Sequence, residues 1–382
     1  MESGNSMKIT QSNNSVIFEH LGSTFSVAFN RTIRLPEDGR THQLPPGLGH
    51  LPVKLVDDYR DKVPASWREQ GGVFIPLHQR EAMWLGFSGA VSAVKTATGK
   101  VNAVNGKPWT PELVAGVEDY MVAPHPQNWL DGFNSGNGVI KQFVAMPMGM
   151  GYTVEGQVTG KEEYGGLQLL VIPAKSGVIP LMSRGSESKT LGGSFNQVSD
   201  GVIVSDGADG VTGSSGSFGY TYMSGVNYGG TKIGCTAMRG LSSHTGVNSA
   251  FLNASSSMGL AAGGQMAQKI YPDPHGIGTW DQEASGRLFV HIVNAEMYEL
   301  ITGEKCPPMP ISAQEYAGNW FKLNDFSANT LKAPVDFQGV KTVGQKDAIH
   351  GFVGQQNDSP TIEKTVITYP HLTAPVVRDG KW

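Results

Sequence analysis

The chain has 382 residues, of which 39% are hydrophobic and only 16% charged, with 50 Gly and 22 Pro. That length suits one large β domain or two ordinary domains with a self-sufficient core, and so much Gly and Pro excludes an architecture of long helices. A formal net charge of −4 leaves no basic footprint for nucleic acid, and two cysteines, Cys235 and Cys306, are too few for a disulfide framework.

The first strand signals come early. Val16-Ile-Phe18 is followed by Phe25, Val27 and Phe29 at alternate positions, with Leu21-Gly22-Ser23 as turn material between them, which predicts a hairpin. Leu35–Gly39 reads as a turn and Pro45–Gly49 as a rigid irregular segment. Val63–Gly71 reads as one helical turn closed by glycine, and Val73–Leu77 and Ala82–Phe87 as buried strands. Val94–Val104 alternates around the turn Thr98-Gly99-Lys100, and Asn105-Gly106 marks a second tight turn. Thr110-Pro111-Glu112 has the form of a helix start.

From Gly138 to Pro173 the pattern predicts consecutive strands over 139–146, 148–154, 157–159 and 167–172, joined by short links and therefore antiparallel. The longest apolar runs, such as Leu169–Ile172, have strand length, and Met1–Ser15 is polar. Together these predict a cytoplasmic chain with no membrane span.

Residues 175–257 form a Gly/Ser-rich stretch. Between Lys189 and Lys232 its charged residues are Asp200, Asp206 and Asp209 alone. Phe218, Tyr220 and Tyr222 recur at strand spacing, with Tyr228 close by. The stretch is read as a β-capable insertion whose aromatic positions form an assembly surface. The three Asp-Gly pairs beginning at Asp200, Asp206 and Asp209 are read first as hairpin turns and second as candidate Ca²⁺ ligands, the EF-hand spacing being missing.

Past this stretch, Gly259–Tyr271 has helix-compatible residues and Tyr271–Gly276 is a turn. Leu288–Val293 reads as a strand, and Asn294 caps a helix ended by Gly303. Pro307–Pro310 is extended, Ser312-Ala-Gln-Glu315 is a capping box for a short helix, and the remainder reads as more strands. No repeat of fixed period occurs. The expected organisation is an N-terminal β domain over 1–174, the insertion over 175–257, and a C-terminal part over 258–382. The expected fold class is mainly β, with antiparallel sandwich-like sheets and a few short helices.

Catalytic signatures are weak throughout. Gly156–Glu162 has the wrong spacing for a phosphate-binding loop, and Gly149-Met-Gly151 stops short of a dinucleotide fingerprint. The ten histidines include no pair at metal-ligand spacing, and no C-x-x-C occurs. Asp57-Asp58 and Glu162-Glu163 are adjacent, so in extended chain their carboxylates diverge. Ser92-x-x-Lys95 and Ser186-x-x-Lys189 lack the companion motifs of enzymes that use that pattern. His291 interrupts an apolar strand and is read as a satisfied or half-exposed strand residue rather than a ligand. The turn that holds Asp273, His275, Trp280 and Asp281 is read first as a structural turn; as a candidate ligand site it suits a sugar or a metal, with glycan the ligand class expected of a partner.

Several stretches together resemble a group of uncharacterised bacterial and fungal proteins. They are Leu44-Pro-Pro-Gly-Leu-Gly49, Val63-Pro-Ala-Ser-Trp67, Gly71-Gly-Val-Phe74, Ala82-Met-Trp84, Lys100-Val-Asn-Ala-Val104, Gly106-Lys-Pro-Trp109, Gln142-Phe-Val-Ala-Met-Pro147, Gly151-Tyr-Thr-Val-Glu155 and Met258-Gly-Leu-Ala-Ala-Gly-Gly264. The resemblance brings with it no activity, cofactor or site residue. The expected function is therefore a non-enzymatic structural or interaction protein without cofactors, whose partner is itself. The alternatives are a carbohydrate- or ligand-binding β protein and a hydrolase of unfamiliar type.

Overall fold

The computed structural model describes residues 7–12, 14–178, 257–316, 318, 320 and 330–350, with the backbone alone of 202–204 and 323–325. Asp200, Asp206, Asp209, Phe218, Tyr220, Tyr222, Tyr228 and Cys235 lie outside the described residues.

In chain order the N-terminal elements are β1 (Lys8–Ser12), β2 (Ser15–His20), β3 (Ser23–Thr32), β4 (Thr41–His42), β5 (Gly47–His50), β6 (Lys54–Leu55), α1 (Ala65–Gln70), β7 (Val73–Leu77), β8 (Ala82–Gly89) and β9 (Ser92–Thr98). Then come β10 (Val101–Asn102), β11 (Met121–Ala123), β12 (Trp129–Leu130), β13 (Gly132–Gly136), β14 (Val139–Pro147), α2 (Val154–Thr159) and β15 (Leu167–Pro173). The last are β16 (Val202–Val204), β17 (Ser257–Ala267), β18 (Gly286–Asn294), α3 (Ala295–Thr302), β19 (Leu323–Asp325) and α4 (Val343–His350).

Seventeen strands join in one hydrogen-bonded sheet, and the backbones of β16 and β19 pair separately. The main path runs β1, β2, β3, β8, β14, β17, β18, β15, β9, β11, antiparallel at every step. The short β4 beside β17 and β7 beside β18 are parallel. Mainly antiparallel β is thus the fold, but it is one continuous sheet rather than separate sheets. β17 and β18 lie between β14 and β15, so residues after 257 complete the sheet that residues before 174 begin.

The inner faces of the two halves of this path meet in a single core. Phe25, Val27 and Phe29 of β3 and Met83, Leu85 and Phe87 of β8 share it with Leu167, Leu169 and Val171 of β15 and Leu288, Val290 and Ile292 of β18. The opposite face of the central strands is also covered. Leu170 and Ile172 turn outward onto Trp109, Leu113, Tyr120 and Trp280. Phe74 and Val293 pack under Tyr59, Trp67, Tyr298 and Ile301, and Val144, Met146 and Ala261 pack under Tyr152 and Val343. Strands covered on both faces need no polar alternation, which is why β15 is apolar apart from the buried Gln168. Each outward Leu or Ile buried this way contributes about 1.5–3 kcal/mol.

Several predicted elements form as expected. Leu21-Gly22 turns β2 into β3. Helix α1 closes at Gly71, and α3 runs from an Asn294 cap, whose side chain accepts from the Glu296 N–H, to a left-handed Gly303. The Ser312–Glu315 capping box forms reciprocally, Ser312 N donating to Glu315 Oε2 at 2.8 Å and Glu315 N to Ser312 Oγ at 3.3 Å, but it closes only one turn.

Others differ, for identifiable reasons. Gly259–Tyr271 contains a strand, β17, not a helix. Its glycines admit close neighbours: a Cβ on Gly264 would stand 2.4 Å from Pro36 O, and one on Gly263 2.6 Å from a Val144 methyl. Residues 154–159 are helix α2, not strand, because the Thr153 hydroxyl caps Gly156 N at 3.0 Å. Thr110-Pro111-Glu112 starts no helix, since its hydroxyl and the Glu112 carbonyl turn to Lys95 instead. Gly47–His50 is strand β5 beside β3, and the C-terminal region contains helix α4.

Candidate functional site

The turn singled out in the sequence is drawn together by one carboxylate. Asp273 Oδ2 accepts from the Tyr120 hydroxyl at 2.6 Å and from Trp280 Nε1 at 2.8 Å, and Oδ1 accepts from the His275 backbone N–H at 2.7 Å. Burial alone would raise the Asp273 pKa, but these donors outweigh it and hold the carboxyl below its usual value. Burial, and then the Asp273 carboxylate, raise the Tyr120 phenol. The His275 ring meets Trp280 edge-on at 6.0 Å. Asp281 contributes its backbone, donating to Pro173 O at 2.9 Å. Of the four predicted residues, Asp273 and Trp280 are therefore joined side chain to side chain, His275 joins through its backbone, and the Asp281 carboxylate is not part of the knot.

Beside this knot is a shallow cleft of about 360 Å³ between the 114–120 loop and the 272–277 turn. Val114 and Val117, both exposed, form its rim, and Tyr120, Asp273, Ile277 and Leu331 line it.

The strands beneath hold a buried cation. Lys95 of β9 is fully buried; its ammonium donates to Asp119 Oδ2 at 2.7 Å, Thr110 Oγ1 at 2.9 Å and Glu112 O at 2.7 Å, and lies 5.6 Å from the Trp109 ring. Three acceptors match its three donors. Burial pulls Lys95 below the usual ammonium range and pushes Asp119 above the usual carboxylate range. The signal in the sequence was a lone charge inside Ala93-Val94-Lys95-Thr96-Ala97. Ser92 does not face it, its hydroxyl donating to Ala90 O instead.

Other candidates resolve into supports. Glu162 closes the Gly149–Gly151 turn, its carboxylate accepting from Thr153 Oγ1 at 2.6 Å, Thr153 N at 3.2 Å and Gly151 N at 3.3 Å. Glu155 accepts from Gly165 N at 2.9 Å and Tyr164 N at 3.1 Å, so close to Gly99 that a Cβ there would overlap its carboxyl. Of the two strand roles open to it, His291 takes the buried and satisfied one: it is stacked at 4.5 Å on Trp67 and 5.9 Å from Phe289, with Nε2 2.9 Å from Gly71 O. Burial lowers its pKa to about 4.

Cys306 and His78 are 4.0 Å apart, the one thiol–imidazole pair among the described residues. His78 Nε2 is 2.8 Å from Pro307 O. A carbonyl only accepts, so that nitrogen carries the proton and cannot take one from sulfur. Burial, and then the Glu81 charge, push the thiol up to about 12. This geometry is the reverse of an activated nucleophile.

Among the described residues no group of three or more His, Cys, Asp or Glu is placed to hold a metal, and no helix is long and apolar enough to cross a membrane. The chain matches none of the protein-family models, curated proteins or solved structures with which it was compared.

Proposed function

We propose that this chain is a non-enzymatic structural or interaction protein that associates with copies of itself through low-charge β surfaces. The observation that carries the reading is β1. Lys8–Ser12 pairs with β2 along one side, and among the described residues no other strand is registered against its second side. An open edge offers a row of backbone donors and acceptors to another chain. The low-charge aromatic stretch at Phe218–Tyr228 supports the same reading from the sequence.

The disposition of buried polar groups supports a structural role. Lys95, Glu81, Glu155, Asp273 and His291 each bond to a loop or strand that they fasten, and none converges with the others on an open cavity. Light scattering after size exclusion, with negative-stain imaging, tests the proposal. The expected result is a species larger than one chain at micromolar concentration; a purely monomeric profile would sink it.

A second reading rests on the cleft beside Asp273. Its apolar rim and its ionised acceptor suit a glycan, whose apolar face would lie on Val114 and Val117 and whose hydroxyls would donate to the carboxylate. Because Trp280 bonds to Asp273, a bound sugar changes its emission. A glycan panel that leaves tryptophan fluorescence unaltered, or a change that survives Trp280→Phe, would dismiss this reading.

A further inference from the structure

Away from that cleft, an arginine holds an unusual backbone. Arg80, in the turn between β7 and β8, has φ 70°, a left-handed conformation uncommon for a residue with a side chain. Its N–H donates to Ala145 O at 2.7 Å, which ties the turn to β14. The guanidinium is 8% exposed and points at the last described helix, α4. Nη1 and Nη2 donate to the two oxygens of Asp347 at 2.6 and 2.7 Å, and the Tyr152 hydroxyl donates to Oδ1 at 2.8 Å.

The two sides of this contact differ in how they are held. Arg80 and Tyr152 are buried and rooted in the sheet, Tyr152 packing among Ala82, Val144 and Met146. Helix α4 has eight residues, of which Val343 is buried, while Ile349 is 59% exposed. It is also fastened at its start by polar contacts such as Gly344 N to Glu37 Oε2 at 2.6 Å, and at its end by the His350 ring, 5.4 Å from that of Tyr152. The rigid partner is a fork with a third donor, shaped for a planar carboxylate. The other partner is a short helix with one buried apolar residue, the kind of element that opens locally before the fold does.

We propose that Arg80 and Tyr152 form a carboxylate receptor on the sheet, that Asp347 occupies it as an internal and displaceable ligand, and that a free planar carboxylate takes the same place when α4 lifts. The tethered carboxylate is present at an effective concentration in the millimolar range. A free carboxylate must exceed that to compete in the native chain, and competes with nothing once Asp347 is removed.

The test is thermal unfolding of full-length Asp347→Ala in sodium formate, sodium phosphate or sodium chloride at matched ionic strength. The expected result is a midpoint that rises and saturates with formate, at a concentration at least tenfold lower than any response of the native chain, and that loses this rise in Asp347→Ala/Arg80→Lys. An equal response to formate and chloride, an undiminished response in the double variant, or a phosphate response as large as that to formate overturns the proposal. Should Asp347→Ala fail to fold, the native chain supplies the readout through tryptic cleavage after Lys346. Formate accelerates that cleavage severalfold over chloride if Asp347 is displaceable, and an unchanged rate refutes it.

Discussion

Asp131 sits between β12 and β13 with 2% of its surface exposed. Gln268 clamps it from both sides, Nε2 donating to Asp131 Oδ2 at 2.8 Å and Oε1 accepting from Asp131 N at 3.0 Å. Burial raises its pKa from 3.8 to about 8, against the smaller opposite effect of the Gln268 bond. The folded protein therefore keeps a proton that the unfolded chain releases. Stability from this group is fully present below pH 3.8 and is lost as pH rises towards about 8. The slope is about 1.4 kcal/mol per pH unit, and the whole loss is roughly 6 kcal/mol. His291 acts oppositely. Its pKa falls from 6.5 to about 4, so its contribution is present above pH 6.5 and is lost as pH falls through 4. Between pH 4 and 6.5 the two slopes oppose each other and nearly cancel; above 6.5 only that of Asp131 remains. Asp131→Asn keeps a neutral acceptor for Gln268 and removes the titration. Urea unfolding of both proteins from pH 4.5 to 8.5 measures the difference, in which all other groups subtract out. The variant should gain on the native chain by about 1.4 kcal/mol per pH unit from about pH 5 to 7, with the gain levelling off as pH passes about 8. Curves that stay parallel within about 0.5 kcal/mol would show that Asp131 is ionised in the fold and refute the reasoning.

Three further outcomes follow from the packing. Gly264→Ala should cost about 1–3 kcal/mol, because its methyl meets Pro36 O and Leu35, whereas Gly339→Ala, which meets open space, should change urea stability by less than about 0.5 kcal/mol. Lys95→Met leaves the Asp119 carboxylate buried beside an apolar group, at a cost of about 3–5 kcal/mol; Lys95→Met/Asp119→Leu should recover most of that, and a double variant no more stable than the single one would contradict the assigned pairing. With its thiol near 12 rather than 9.0, Cys306 should carry roughly a thousandfold less thiolate at pH 8 than an ordinary cysteine. Peptide mass spectrometry after brief alkylation of the native chain reads this directly, and labelling as fast as in urea would count against it.

The candidate site was legible to different depths. Asp273 and Trp280 stood out because a turn dense in Asp, His and Trp is chemically unusual, and they do bond to each other. Tyr120, the third member of that knot, lies 153 residues away in the chain, and nothing local marks it. The same distance hides Asp347 from Arg80 and Gln268 from Asp131, separated by 267 and 137 residues. Single charges such as Lys95, set inside apolar strands, were the available clue, since a charge at a core position requires a partner from somewhere.

Local chemistry settled what local chemistry can. Turns at Leu21-Gly22, caps at Asn294 and Gly303, and the apolar stripes of β3, β8, β15 and β18 depend on backbone preferences and on side-chain period, both written in adjacent residues. Whether 257–267 became helix or strand was decided by Leu35, Pro36 and Val144 pressing against its glycines, and whether 110–112 became helix by the needs of the Lys95 ammonium. Those choices depend on contacts between segments far apart in the chain. Burial and close approach exist only once the sheet has assembled, and there they outweigh propensities worth about 1 kcal/mol per residue.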